Sequence, residues 1–203
     1  MKIICIGRNY VNHAEELGNK IPSEPLFFLK AETAIQPKGH PFFIPDFSNE
    51  IHYEVELVVK IDKIGKNIKE KFSHKYYNEI GLGIDFTARD IQEECQAKGL
   101  PWEKAKGFDG AAQISRTFIN KLELDLNDIS FRLEKNEEQV QIGNSKDMLF
   151  SFDVIIAHIS KFYTLKIGDL IYTGTPAGVG KVEKGDILNG FIGEKEMFQI
   201  LVK

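Results

Sequence analysis

The chain has 203 residues, 42% hydrophobic and 28% charged, with a formal net charge of −4. That length fits one domain with a sizeable core, and the acidic balance argues against a general nucleic-acid binder, which needs basic excess for phosphates. Two distant cysteines, Cys5 and Cys95, make neither a disulfide framework nor a zinc pattern, so a reducing compartment, the cytoplasm, is expected.

The start, "MKIICIGRNY", has an apolar run too short for a signal peptide, interrupted by Arg8 and Asn9. No apolar run approaches the ~20 residues of a membrane span. "KIICIG" reads as a short buried strand ended by Gly7. "NYVNHAEELGN" reads as one to two helical turns, with Asn9 as N-cap and Gly18 as stop. "PSEPLFFLK" is an extended segment behind two prolines. "QPKGHPFFIPDFSNE" carries three more prolines and a glycine, and reads as loop with at most an edge strand.

"IHYEVELVVKI" follows, Ile51 to Ile61. Ile51, Tyr53, Val55, Leu57, Val59 and Ile61 are apolar, and His52, Glu54, Glu56 and Lys60 share the other parity with Val58. This is the alternation of a half-buried strand. It puts Glu54 and Glu56 on one face, roughly 6.5–7 Å apart along the chain. Taken alone, the stretch suggests a wet outer face; the alternative is a pair of oxygen ligands for a hard cation. The Lys-rich run from Lys60 to Lys75 reads as a solvated turn and helix face. "EIGLGIDFT" is a second apolar strand, and "ARDIQEECQAKG" a helix with Thr87 as N-cap and Gly99 as its end.

From about Asp128 the pattern turns β-rich. "ISFRLEKNEEQVQIG" alternates around a turn at Lys135–Asn136–Glu137. "FSFDVIIAHISKFY" is a second clear helix. The remainder sets short strands between glycine turns, and L-x-x-G-D-x-I recurs loosely as V-x-x-G-D-x-L, which suggests a rolled sheet or barrel. No linker or repeat array divides the chain. The expectation is a single domain over residues 1–203, of α+β class and mainly β.

Several side chains carry possible chemistry. Asp85 sits among Leu82, Ile84 and Phe86, where an acid must be paired, hydrogen-bonded or ligated. It could serve the helix that starts just after it, but Asp90 already occupies that first turn. Glu54, Glu56 and Asp85 together would make an all-oxygen, triply negative site suited to Mg²⁺ or Mn²⁺. His13 and Glu16, three apart on a short helix, share a face. They are either a surface ion pair or a dyad in which the carboxylate orients an imidazole that activates water. "TGTPAGVGKV" is no phosphate loop: Thr175 replaces the first glycine of that motif, Val182 replaces its Ser/Thr, and strand-like "GDIL" follows. Thr173 and Thr175 could still offer hydroxyls to a small ligand.

Taken in order, "CIGRNYVNHAEELGN", "EPLFFLKAETAI", "IHYEVELVVKI", "GIDFTARDIQEECQAKGLPWEKAKGFD", "DMLFSFDVIIAHIS", "LKIGDLIYTGTPAGVG" and "KGDIL" form a series running nearly end to end. In it the chain resembles the fumarylacetoacetate hydrolase superfamily, and within that the short single-domain acylpyruvate hydrolase and oxaloacetate decarboxylase branch. The E-x-E strand, the D-x-T-A-R-D turn and the T-G-T-P loop are specific in combination. The resemblance implies a mixed β-sandwich roll, usually a homodimer, and a metal held by Glu54, Glu56 and Asp85. It implies a lid helix at about residues 9–18 carrying His13 and Glu16, an active-site lysine at Lys106, and substrate contacts from Arg89, Gln92 and Thr175. "KAETAI" departs from the commoner K-P-S-T-A, and "GFDGAAQIS" differs after the lysine.

The chemistry implied is divalent-metal-dependent C–C cleavage of small 2-oxo acids through an enolate, as acylpyruvate hydrolysis or oxaloacetate decarboxylation. The alternatives are an isomerase or hydratase of hydroxymuconate-like diacids, a keto–enol tautomerase, and a non-catalytic β-rich binding module.

Overall fold

The computed structural model describes residues 1–11, 21–37 and 39–203. The chain forms β1 (Ile3–Gly7), β2 (Leu26–Lys30), β3 (Ile51–Tyr53) and β4 (Val55–Ile61), then a one-turn helix α1 (Glu70–Ser73). Next come β5 (Tyr77–Asp85), β6 (Thr87–Ala88), α2 (Arg89–Lys98) and α3 (Glu103–Lys106). The second half carries β7 (Ala112–Ile114), β8 (Ile119–Asn120), β9 (Ser130–Lys135), β10 (Glu138–Asn144) and α4 (Phe152–Phe162). It closes with β11 (Leu170–Tyr172), β12 (Gly180–Lys181), β13 (Ile187–Ile192) and β14 (Lys195–Leu201).

These strands make three open sheets rather than a closed barrel. The largest runs β2-β1-β11-β4-β5-β7, with β8 also on β5. It is mixed, because β1 lies parallel to β11 while its other pairs are antiparallel. The second sheet is β10-β9-β13-β14, and the third β12-β3-β6. Short strands with helices on a mixed sheet are the expected α+β, mainly β roll.

A large apolar cluster joins Leu57, Ile80 and Leu82 of the main sheet to Phe131, Leu133 and Leu188 of the second sheet and to Ile155, Ile156 and Ile159 of α4. A second cluster lies on the other parity, with Ile3, Cys5, Val58, Leu170 and Tyr172. The main sheet is therefore buried on both faces, and the wet outer face suggested for Glu54 and Glu56 does not exist. The strand also divides at Glu54, which separates β3 from β4.

Helix α4 begins where its sequence caps it: Ser151 accepts a hydrogen bond from Val154 N. Helix α2 ends at Gly99, whose φ of 64° and bonds to Cys95 and Gln96 carbonyls complete a left-handed C-cap. Two expected N-caps are corrected. Ala88, not Thr87, stands at the N-cap of α2, with no side-chain cap, because Thr87 is bonded to Lys106 instead. Asn9 accepts from Phe150 N at 2.8 Å and donates to Phe150 O and Thr173 O, so its amide pins β1 to two distant loops rather than capping a helix.

The recurring G-D motif folds as one device used twice. Asp169 accepts from Lys166 N and Asp186 from Glu183 N, at 2.8 and 2.7 Å. Gly168 and Gly185 before them take φ of 87° and 102°. Each copy is a tight turn that delivers the chain into a strand, β11 or β13.

Candidate functional site

Antiparallel register brings the acids together. Val55 pairs Ile84 and Glu56 pairs Gly83, which sets Glu54 opposite Asp85, and Asp85 N donates to Glu54 O at 2.8 Å. Glu54, Glu56 and Asp85 are all buried. One oxygen from each lies within 4.8 Å of the others. Like charges opposed in this way repel, so the fold must supply compensation.

It does so from three elements. Lys106, the last residue of α3, places Nζ 2.8 Å from Glu54 Oε2, 3.1 Å from Asp85 Oδ2 and 2.6 Å from Thr87 Oγ1. Arg89, the first residue of α2, donates to Glu54 Oε1 at 2.5 Å and to Gln92 Oε1 one turn on. Lys30, at the end of β2, holds Nζ 2.6 Å from Asp85 Oδ1 and donates to the carbonyl of Ala111 at 3.0 Å. Burial alone would lower Lys106, but Asp85 and Glu54 outweigh it and hold the ammonium above its ordinary value. It stays charged at neutral pH.

Glu56 is treated differently. Among the described residues it has no lysine or arginine partner; its Oε2 accepts from Gly174 N at 2.7 Å. Burial, then Asp85 and Glu54, push its carboxyl well above the usual range. Gly174 has φ of 98°, and a Cβ there would come within 2.7 Å of Asn9 Cβ. Only glycine lets this loop reach Glu56.

The T-G-T-P loop is tied to the acidic strand by Gln141. Its Oε1 accepts from Val55 N, and its Nε2 donates to Thr175 Oγ1 and Pro176 O, each at 2.9 Å. Thr173 offers nothing to a ligand, since its hydroxyl is spent on Leu57 O at 2.9 Å. Thr175 does face the cleft. That cleft encloses about 40 Å³ and is lined by the three acids, Arg89, Gln92, Lys106 and Thr175, with Arg8, Phe28 and Trp102 at its walls.

Seven of the nine candidate residues thus converge: Glu54, Glu56, Asp85, Arg89, Gln92, Lys106 and Thr175. His13 and Glu16, and most of the 9–18 lid segment, lie outside the described residues. The sequence reading missed Lys30 and Gln141. A lysine closing the apolar run "LFFLK" was the available signal for the first. The second sits at a β-bulge, where the β9–β10 register shifts between Gln139 and Gln141 and turns its amide inward.

The donor set fits a hard divalent cation. Three carboxylate oxygens converge, and Asp85 Oδ1, although close to Lys30, receives no aligned hydrogen bond and keeps a lone pair open.

A mixed roll with buried acids at two central strands and cations around them defines a class of small-molecule enzyme sites. Residues 2–196 match the family described as fumarylacetoacetate (FAA) hydrolase C-terminal, and the chain belongs to that family. It is 41% identical to the oxaloacetate tautomerase FAHD1, mitochondrial, of Bos taurus, over 91% of this chain and 83% of that one. It is 44% identical to the mitochondrial oxaloacetate decarboxylase of Dictyostelium discoideum, over 92% and 86%. Among solved structures, it is similar to fumarylpyruvate hydrolase from Pseudomonas aeruginosa in complex with Mn²⁺ and pyruvate. The TM-score is 0.91 at 32% identity, covering 100% of this chain and 89% of that one.

Proposed function

We propose that the chain is a divalent-metal-dependent enzyme that cleaves the C3–C4 bond of small 2-oxo acids, one carbon beyond the 2-oxo carbonyl, by acylpyruvate hydrolysis, oxaloacetate decarboxylation or both. The observation that carries this reading is the convergence of Glu54, Glu56 and Asp85 in one cleft beside Lys106 and Arg89. Glu54, Glu56 and Asp85 are its metal ligands, for Mg²⁺ or Mn²⁺. The ion would supply Lewis-acid polarisation of the 2-oxo carbonyl and charge for the developing enolate.

The chain's own groups do the rest. Lys106 and Arg89 are fixed positive charges beside the oxygens on which negative charge gathers. Gln92 orients Arg89. Thr175 Oγ1 accepts from Gln141 and donates to no described residue, which leaves its proton for a substrate oxygen. For an acylpyruvate, His13 assisted by Glu16 takes a proton from the water that attacks the distal ketone. For oxaloacetate, CO₂ leaves with no water attack and needs only the electron sink.

The Bos taurus relative's name favours a second reading, keto–enol tautomerisation of oxaloacetate. It passes through the enolate of oxaloacetate itself, formed when a proton leaves C3 and returns, with no C–C bond broken; the same fixed positive charges suit it. A panel of acylpyruvates and oxaloacetate with Mg²⁺, scored for pyruvate release and for enol absorbance, separates the readings. Asp85→Asn and Glu56→Gln should each abolish turnover and the metal-dependent rise in melting temperature while the protein stays folded. Wild-type rates in both variants would overturn the metal assignment. Unchanged thermal stability on adding Mg²⁺ or Mn²⁺ would favour a binding module.

The working form is a homodimer of a single catalytic domain. Sheet edges such as β10, with its exposed Ile142, and the exposed Phe47 favour a partner surface. Sedimentation should report about twice the 23.1 kDa chain mass. Two buried free thiols agree with a cytoplasmic setting, and no described helix is long and apolar enough to cross a membrane.

A further inference from the structure

Arg8 lines the same cleft as the acids. Its backbone is unusual, with φ of 60° in the left-handed region. Glycine or asparagine holds that conformation at less cost than arginine, so the turn alone gives no reason for a guanidinium here. The surroundings force the conformation. β1 ends at Gly7, and Asn9 is locked by its hydrogen bonds to Phe150 and Thr173. Strain held this firmly beside a cleft points to a functional side chain.

The other cleft cations are committed. Lys106 and Arg89 neutralise Glu54, and Lys106 is shared with Asp85. Lys30, behind them, neutralises the other oxygen of Asp85. Arg8 is half-buried and makes no salt bridge or hydrogen bond among the described residues. Among the described residues it is the cleft-lining cation left for an anion brought from outside. Phe28 and Trp102, stacked edge to face with centroids 5.8 Å apart, wall the same cleft and offer no charge to compete for that anion.

We infer that Arg8 docks a second carboxylate at the far end of the substrate, making the site selective for 2-oxo diacids over 2-oxo acids with a neutral tail. This rests on the proposed reading of the site as one for 2-oxo acids, and adds the substrate's distal group and the residue that reads it. A planar guanidinium suits the task, since it can meet a carboxylate with two parallel hydrogen bonds.

The test uses Arg8→Asn, which tolerates the left-handed backbone, and Arg8→Lys, which keeps the charge. With Mg²⁺, the ratio of kcat/KM for oxaloacetate to that for acetylpyruvate should fall about tenfold to a hundredfold in Arg8→Asn, the loss expected of a charge-assisted hydrogen bond. The change should lie mainly in KM, and Arg8→Lys should recover part of it. Trp102, the sole tryptophan, gives a reading independent of turnover. Fluorescence titrations should show Arg8→Asn weakening oxaloacetate relative to pyruvate, two acids that differ only in the distal carboxylate. Equal losses for both ligands, or no loss for either, would overturn the inference. A wild-type protein that turns over neither substrate would overturn the parent reading instead, and the titrations would still decide the role of Arg8.

Discussion

Lys30 holds its ammonium 2.6 Å from Asp85 Oδ1, with its side chain fully buried and that of Asp85 1% exposed. Breaking such a pair from one side costs up to about 3–5 kcal/mol, and here it would leave Asp85 with Lys106 alone, which Glu54 shares. Lys30→Met should therefore lower the melting temperature of the metal-free protein sharply. A divalent cation restores positive charge beside Asp85, so the metal-saturated variant should lose much less. Thermal unfolding of variant and wild type, each with and without Mg²⁺, gives the comparison. An equal loss in both states would mean that Lys30 and the ion do not share Asp85.

The raised Glu56 carboxyl sets a pH dependence. Its folded pKa lies above the unfolded value of about 4.3, so the fold favours the protonated form. That stabilisation is complete below the unfolded value and drains away as pH rises through the folded one. A bound cation needs the carboxylate and releases the proton. The melting temperature of metal-free protein should fall as pH rises from about 4.5, while the stabilisation given by Mg²⁺ should grow over the same range. Glu56→Gln should flatten both slopes; a metal-free profile indistinguishable between wild type and variant would show that another group titrates.

Much of this site was legible in sequence because parity is a local property. Glu54 and Glu56 share a face in any strand, and Asp85 among Leu82, Ile84 and Phe86 announces a buried acid. Whether that face is wet was not legible, since it depends on distant segments, Ala34, Ala111 and Phe108 among them, packing against the same cluster as Cys5 and Tyr172 of the neighbouring strands. Lys30 reaches Asp85 and Gln141 reaches Val55 only once strands far apart in the chain are assembled. Asn9 and Thr87 look like caps because caps are judged from neighbours in sequence, and each found a stronger distant partner. The glycine turns foretold short strands, but not whether the sheets would close.

Gln141 joins the acidic strand to the T-G-T-P loop through both ends of one amide. Gln141→Leu removes the acceptor of Val55 N and the donors to Thr175 and Pro176, leaving a buried N–H unpaired. The expected cost is about 1–3 kcal/mol, visible as a drop of several degrees in melting temperature. Because Thr175 then loses its anchor, KM should rise more than stability alone would account for. Gln141→Glu keeps the acceptor for Val55 and should recover part of the stability but little of the loop's order. A Gln141→Leu variant with wild-type KM would show that Thr175 is held by its own backbone.

The proposed roles of His13 and Glu16 call for separating the lid from the floor of the site. Decarboxylation of oxaloacetate needs an electron sink, which a cation held by Glu54, Glu56 and Asp85 would supply, with the positive charges of Lys106 and Arg89 beside it. Hydrolysis of an acylpyruvate needs a water activated in addition, and among the candidate residues only His13 carries an imidazole, the side chain whose ordinary pKa lies nearest neutral pH. His13→Ala should therefore cut acylpyruvate hydrolysis by roughly the 10²–10⁴-fold of a lost general base. Oxaloacetate decarboxylation should fall less, by whatever the His13 side chain contributes to excluding water. Glu16→Gln should act in the same direction more weakly, since it removes the charge that raises the basicity of the histidine but keeps a hydrogen-bonding partner for it. The deciding quantity is the ratio of the two activities, measured side by side at saturating Mg²⁺. If both fall by the same factor, His13 serves closure alone, and the base that activates water must be sought among the groups lining the cleft.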